Sequence, residues 1–307
     1  MLSVRVSGPR DISLNNRYGD EWMKRKYRDE LVKFTFLIPA LLFFTLVVII
    51  PFVRGFNIAF TNWDGLAPSY KYVGLRNLIM LFKDEEVLGP LKNTLFFAFV
   101  TTFFVNIFGL ILAVALDVKF KGVNFLKAVI FMPMVISLVL AAVIWRYVYS
   151  DIFPIIFHTS NGLLGSPETV MWGIAIICIW KETGLAMVVY FAGLQTIPKD
   201  MYESARIDGA NQIQQFFKIT VPMLMPAFTY CIPLWLGTGL RQFDYSVVAT
   251  KGGPGRASET MAMYVYNYEF PYFKAGYGQM AALVLFALIL VITLIVTRYL
   301  RGKEVEF

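Results

Sequence analysis

Long apolar stretches separated by short polar ones run the length of this chain, and their lengths set the architecture. Five uncharged runs stand out: Phe34 to Val53, Leu95 to Leu116, Ala128 to Trp145, Val221 to Leu240 and Gln279 to Thr297. A sixth, Val170 to Leu194, is as long but is interrupted by Lys181 and Glu182. A helix needs roughly 20 apolar residues to cross the hydrocarbon core of a bilayer. Each unsatisfied backbone group costs several kcal/mol in lipid, so every run is expected to be helical. The runs are continuously apolar, which excludes the alternating pattern of a membrane β-barrel. The pattern therefore predicts an all-α membrane protein with six transmembrane helices, at about 34–53, 95–116, 126–146, 170–194, 221–241 and 279–298. Prolines inside these runs (Pro39, Pro133, Pro226 and Pro233) are tolerated better in membrane helices than in soluble ones.

Polar flanks give the orientation. The first run follows a basic stretch, Lys24, Arg25, Lys26, Arg28 and Lys33. It is longer than the apolar region of a signal peptide and no small-residue cleavage site follows, so it reads as an uncleaved first span. With the N-terminus inside, the cytoplasmic segments carry 17 Lys and Arg and the external ones 10. That bias predicts both termini in the cytoplasm. Residues 1–33 become a cytoplasmic N-terminal segment, 34–300 the membrane domain, 195–220 a cytoplasmic loop and 301–307 a cytoplasmic tail.

Composition agrees: 57% of the 307 residues are hydrophobic and 16% charged, against about 45–50% and 25% in soluble domains. The net charge of +7 sits in the flanks of spans, which argues against a nucleic-acid-binding or disordered protein. Cys178 and Cys231 lie inside apolar runs without Cys or His companions, and His158 is the single histidine. No metal site is expected from them.

The loop between the fourth and fifth spans carries a specific pattern. It reads Tyr202-Glu203-Ser204-Ala205-Arg206-Ile207-Asp208-Gly209-Ala210, then Ile219-Thr220-Val221-Pro222. Pro198 suits the first turn of a short helix, and Gly209 permits a sharp turn. This stretch resembles the EAA loop of ABC importer permeases, Glu-Ala-Ala, three residues, Gly, nine residues, Ile, one residue, Leu-Pro. Glu203, Ala205, Gly209, Ile219 and Pro222 fall at the matching offsets, with Ser204 and Val221 as small departures. Leu194-Gln195-Thr196-Ile197-Pro198 and Asp208-Gly209-Ala210 narrow the likeness to the carbohydrate-type permeases, the maltose and glycerol-phosphate permease family. Thr250-Lys251-Gly252-Gly253-Pro254 resembles the Thr-x-Gly-Gly-Pro segment of the same family, and Phe60-Thr61-Asn62-Trp63 and Val73-Gly74-Leu75-Arg76-Asn77 extend the likeness. It covers roughly residues 34–300.

The resemblance implies the type I ABC importer permease fold and a place in a bacterial cytoplasmic (inner) membrane. It implies that Glu203, Ala205, Asp208, Gly209, Ala210, Ile219 and Pro222 couple this chain to a cytoplasmic ATPase. Implied partners are a second homologous permease subunit, two copies of that ATPase and an extracytoplasmic solute-binding protein. The chain has no GxxxxGK[ST] sequence, so ATP and magnesium are expected on the partner ATPase, with no cofactor or catalytic residue here. By position Lys181, Glu182 and Leu185 match residues lining the sugar site of maltose-type permeases, although both charges depart from the small and apolar types found there. Trp235, Thr238, Gly239 and Gln242 lie on one face of the fifth span and match the second part of that site. Lys181 and Arg241 together would favour an acidic sugar such as a uronate oligosaccharide, and Glu182 would offset one charge. The expected function is ATP-driven alternating-access import of a sugar or oligosaccharide. The alternatives are a glycerol-phosphate or polyol permease and a membrane-embedded transferase, the latter without the clustered Asp, Glu or His it would need.

Overall fold

The computed structural model of the chain describes residues 30, 33–118, 121–158 and 162–304. The expected N-terminal segment, except for Glu30 and Lys33, and the last three residues of the expected tail lie outside these. Two units are distinguished, Met1–Asn57 and Ile58–Phe307.

Helix α1 spans Lys33–Ala59, and it is more than long enough to cross a bilayer. Within it the Asn57 amide donates to the Val53 carbonyl at 2.9 Å, so its polar group is satisfied inside the helix. The remaining long helices are α3 (Glu85–Ala115), α6 (Val170–Gln195) and α12 (Ala275–Arg301). All four cover the expected spans to within one residue and run on past at least one end of them.

Two expected spans are not single straight helices. The third divides into α4 (Val123–Val135) and α5 (Leu138–Phe157). Ile136 is extended between them, and the Ser137 hydroxyl accepts from the Leu140 amide at 3.3 Å to cap α5. Pro133 has no amide hydrogen and weakens the last turn of α4. The fifth comprises α8 (Gln212–Met223) and α9 (Met225–Leu240), which meet at 67° around Leu224, with Pro226 in the first turn of α9. It thus begins inside the loop expected to precede it.

The core of the second unit is the pair α3 and α6, which run against each other along most of their length. Gly109 makes that approach possible. A Cβ placed there would stand 2.5 Å from the Ala186 Cβ. Tyr190 on α6 donates to Asn106 on α3 at 2.5 Å, which satisfies both polar groups in the apolar interior. Helix α9 packs against α3 and also touches α6, and on the α3 side Gly239 would bring a Cβ to 2.7 Å from the Ala98 Cα.

Short helices cover one end of this bundle: α2 (Arg76–Lys83), α10 (Asp244–Thr250) and α11 (Met261–Glu269). Asn77 on α2 ties down the preceding loop by donating to the carbonyls of Ala59 and Thr61, each at 2.8 Å. The Thr250–Pro254 segment is a built turn, in which Thr250 and Ser258 share a hydrogen bond of 2.7 Å and Ser258 donates to the Gly253 carbonyl. Asn93 at the start of α3 holds it by donating to the carbonyls of Ala257 and Glu259.

Asp84, just before α3, receives hydrogen bonds from Tyr264 at 2.7 Å and Tyr277 at 2.9 Å. Burial pushes its carboxyl up, but the tyrosine hydroxyls and the Glu86 amide outweigh burial and hold it below the ordinary carboxylate value. A lowered carboxylate pKa stabilises the fold above the unfolded value and loses that contribution as pH falls through the folded one. Thermal unfolding should therefore lose more stability on acidification below about pH 4 in the native protein than in Asp84→Asn. Equal acid sensitivity of the two would contradict the assignment.

Candidate transport chamber and coupling loop

Within the second unit, α3, α6 and α9 line a cavity of about 360 Å³, to which the start of α10 also contributes. Phe97 and Thr101 come from α3, Cys178 and Glu182 from α6, and Trp235, Thr238 and Gly239 from α9. Arg241, Gln242, Asp244 and Tyr245 complete it where α9 gives way to α10. Six of the eight residues expected along a pathway are thus brought together: Glu182, Trp235, Thr238, Gly239, Arg241 and Gln242.

Their roles within it differ. The Glu182 carboxylate accepts from the Tyr245 hydroxyl at 2.9 Å, leaving further lone pairs for a second donor. Trp235 is buried with its ring in the wall, and Thr238 returns its hydroxyl to the Leu234 carbonyl. Gly239 serves the approach of α9 to α3, so its contribution is to packing. Gln242 is buried, and the amide orientation that fits its surroundings sets its carbonyl 2.7 Å from the Ser246 amide, in the first turn of α10. The same choice directs its NH2 group away from those donors. Arg241 is exposed and forms no ion pair with any described residue. Phe97, Thr101, Cys178, Asp244 and Tyr245 line the chamber without having been expected there, and the partner of Tyr245 lies 63 positions away.

Lys181 and Leu185 are not among the residues lining this chamber. Leu185 packs against the core of α3, α6 and α9. Lys181 donates to the Met134 carbonyl at 2.7 Å. That carbonyl sits in the last turn of α4, where the broken third span leaves acceptors without helical partners. A cation at a helix C-terminus also complements the dipole. Lys181→Ala should consequently leave cargo selectivity unchanged while lowering stability by about 1–3 kcal/mol. A change of cargo preference in that variant, measured by uptake, would put Lys181 back on the pathway.

The loop after α6 forms a compact helix–turn–helix. Pro198 occupies the position before the first residue of α7 (Lys199–Ile207), one place earlier than expected, and makes no side-chain hydrogen bond to the helix. The helix ends with the Gly209 amide on the Arg206 carbonyl at 3.0 Å and the Ala210 amide on the Ala205 carbonyl at 2.8 Å. This is the hydrogen-bond pair of a Schellman motif, with Gly209 at φ +80° in the left-handed position that glycine fills without strain. Asn211 and Gln214 then cap α8 reciprocally, each side chain 2.9 Å from the other's amide. Tyr202 and Thr220 share a hydrogen bond of 2.9 Å, which fastens α7 to α8.

Glu203, Asp208 and Gly209 are exposed on this unit, Ala205, Ala210 and Pro222 are half-buried, and Ile219 packs against the core. Apolar side chains left in the open on this loop were not anticipated, among them Ile207, 87% exposed, and Ile213, 70%. Among the described residues no group of three or more His, Cys, Asp or Glu could hold a metal ion.

Comparison with known proteins agrees with this architecture. Residues 105–304 match the family described as binding-protein-dependent transport system inner membrane component. The chain is 32% identical over 276 residues to the probable starch degradation products transport system permease protein AmyD of Thermoanaerobacterium thermosulfurigenes, covering 88% of this chain and 94% of that protein. It is 30% identical to the trehalose/maltose transport system permease protein MalF of Thermococcus litoralis, over 92% of this chain and 97% of the relative. Among solved structures, a chain of a bacterial ABC transporter involved in the import of the acidic polysaccharide alginate superposes with a TM-score of 0.79. At 23% identity over 92% of this chain and 99% of the other, that likeness establishes the type I ABC importer permease fold. The chain thus belongs to the family of inner-membrane components of binding-protein-dependent transport systems, as a multi-pass transport subunit and not an enzyme.

Proposed function

We propose that this chain forms half of the translocation pathway of a sugar or oligosaccharide importer, driven by ATP through alternating access. The observation that carries this reading is the chamber between α3, α6 and α9. It sets the aromatic rings of Trp235 and Tyr245 beside Glu182, Thr238 and Gln242. A sugar offers apolar C–H faces to aromatic rings and hydroxyls to carboxylates and amides. The names of the relatives, a starch-degradation-product and a trehalose/maltose permease, point the same way.

In this reading both termini and α7 face the cytoplasm. A second, homologous permease subunit supplies the other half of the pathway, and a solute-binding protein delivers cargo from outside. Two copies of a cytoplasmic ATPase hold ATP and magnesium and dock on α7 and α8. Ligand and nucleotide drive transport only by binding the inward and outward states unequally. Glu203, Ala205, Asp208, Gly209, Ala210, Ile219 and Pro222 transmit ATPase closure, with the turn at Gly209 and the capping box of Asn211 and Gln214 keeping the loop one stiff unit.

Glu182 is the side chain best placed to accept from a sugar hydroxyl. A hydrogen bond to a charged group contributes about 1.5–3 kcal/mol. Glu182→Ala should therefore raise the transport KM by about ten- to a hundredfold, with ATP hydrolysis in the absence of cargo retained. Sugar uptake with an unchanged KM would remove Glu182 from the pathway. An acidic sugar is the second reading, carried by Arg241, which lines the chamber without an ion pair to any described residue.

A further inference from the structure

A second cavity, of about 790 Å³, lies where α3 and α6 end, α4 begins and α7 crosses. Four cations line it: Lys121, Lys127, Lys199 and Arg206. None of them forms an ion pair with a described residue. Two carboxylates share the cavity, and one of these, Asp117, takes a hydrogen bond of 2.7 Å from Gln195. The lining therefore carries an excess of two positive charges.

Its chemistry is divided. Lys199, Tyr202, Glu203 and Arg206 recur at one face of α7 and form the polar side. Leu116, Val118, Val123, Phe191 and Leu194 form an apolar side. Lys127 holds its ammonium 3.3 Å from the centre of the Phe191 ring, at the boundary between the two. Val118 in the lining is 51% exposed and Phe125 in the first turn of α4 72%, both near helix ends that would stand at the membrane surface. An occupant must match both halves, with an anion for the cations and hydrocarbon for the exposed apolar flank. A soluble anion satisfies only the first.

We infer that this cavity holds the phosphate-bearing headgroup of an anionic phospholipid of the cytoplasmic leaflet, with its acyl chains along α3 and α4. The inference rests on the proposed orientation, in which α7 is the cytoplasmic coupling helix. The headgroup would join Lys121 and Lys127, at the start of the third span, to Lys199 and Arg206 on α7. Coupling of ATP hydrolysis to transport would then depend on lipid charge. Basic pockets between spans on the cytoplasmic side are a recurrent setting for anionic headgroups.

The test uses the full transport complex in nanodiscs of phosphatidylcholine, or of equimolar phosphatidylcholine and phosphatidylglycerol. Native mass spectrometry reads the lipid retained, and binding-protein-stimulated ATP hydrolysis is compared between the two compositions. Phosphatidylglycerol should be retained in preference to phosphatidylcholine and should raise the stimulated rate. Each cation removed should weaken retention about fivefold. The double variant Lys121→Gln/Lys127→Gln should lose most of the bound lipid and show the same rate in both discs, and Lys121→Arg/Lys127→Arg should restore both effects. If the glutamine variant does not assemble, retention by the native complex must still fall as ionic strength rises.

Several results would overturn the inference. They are equal retention of the two lipids, retention unaffected by the glutamine pair, displacement of phosphatidylglycerol by inorganic phosphate, and lipid binding only after the ATPase is stripped away. The last would mean that acidic side chains of the ATPase fill the cavity. Binding-protein-stimulated hydrolysis in phosphatidylcholine alone reports on the transport reading, so its presence without any lipid effect would defeat this inference alone.

Discussion

Ile207→Asp is expected to abolish stable association of the ATPase with this chain while leaving the membrane domain folded. Ile207 and Ile213 stand in the open on a loop whose backbone is fixed by the Schellman turn at Gly209 and the capping box of Asn211 and Gln214. Nothing within the described fold of this chain covers them, so burial is gained only against a partner. Covering one isoleucine contributes about 1.5–3 kcal/mol. An aspartate in its place adds the desolvation of a charge in the centre of an interface. Together these reach the range of an interface hot spot, at least about 2 kcal/mol and on the order of a hundredfold in affinity. Co-purification of the ATPase with the tagged membrane subunits measures the effect. The melting temperature of the membrane subunit should stay within error of the native value, because the replaced side chain is exposed. Retention of the ATPase by Ile207→Asp would contradict the docking role assigned to α7 and α8.

Gly109→Val should fail in the opposite way, by damaging the membrane domain itself. Its Cβ would meet the Ala186 Cβ at 2.5 Å and the backbone of Ala186 and Met187 at 3.0 Å. Backbone cannot yield as a flexible side chain does, so α3 and α6 would have to separate along the central seam. Overpacking of a tight interior costs about 1–3 kcal/mol, and valine adds two methyl groups beyond the clashing Cβ. The expected result is a marked loss of folded, extractable protein and a lower melting temperature. Ala186→Gly in the same chain should recover part of the loss, since the two positions share one contact. Native stability in Gly109→Val would show that the seam is looser than its geometry requires.

The number and approximate place of the spans were legible in the sequence, because a bilayer imposes one length on every apolar run. The breaks were not. Pro133 and Pro226 read equally well as tolerated prolines. What decides is Ser137 capping α5 in the middle of an apolar run and the chain turning at Leu224. The turn at Gly209 was legible in the loop after α6, and Asn211 with Gln214 three residues later was a capping signal available in the sequence. Ile207 was not legible as an exposed residue, since an isoleucine in an amphipathic connector normally faces the core. The surroundings of Lys181 were hidden for a similar reason. A charge inside a span suggests a pathway, but its partner is a carbonyl 47 residues away, freed by a break the pattern does not reveal. Glu182, one residue further on, points to the chamber and to Tyr245.

The central claim is that this chain carries a sugar on behalf of a binding protein and an ATPase. ATP hydrolysis by the reconstituted complex, with the binding protein and a panel of neutral and acidic oligosaccharides, tests it most directly. Stimulation that requires both the binding protein and one class of sugar is the predicted result, and an acidic class would favour the reading carried by Arg241. Hydrolysis that stays at its basal rate with every sugar, or that rises instead with a glycerol phosphate or a polyol, would contradict the claim.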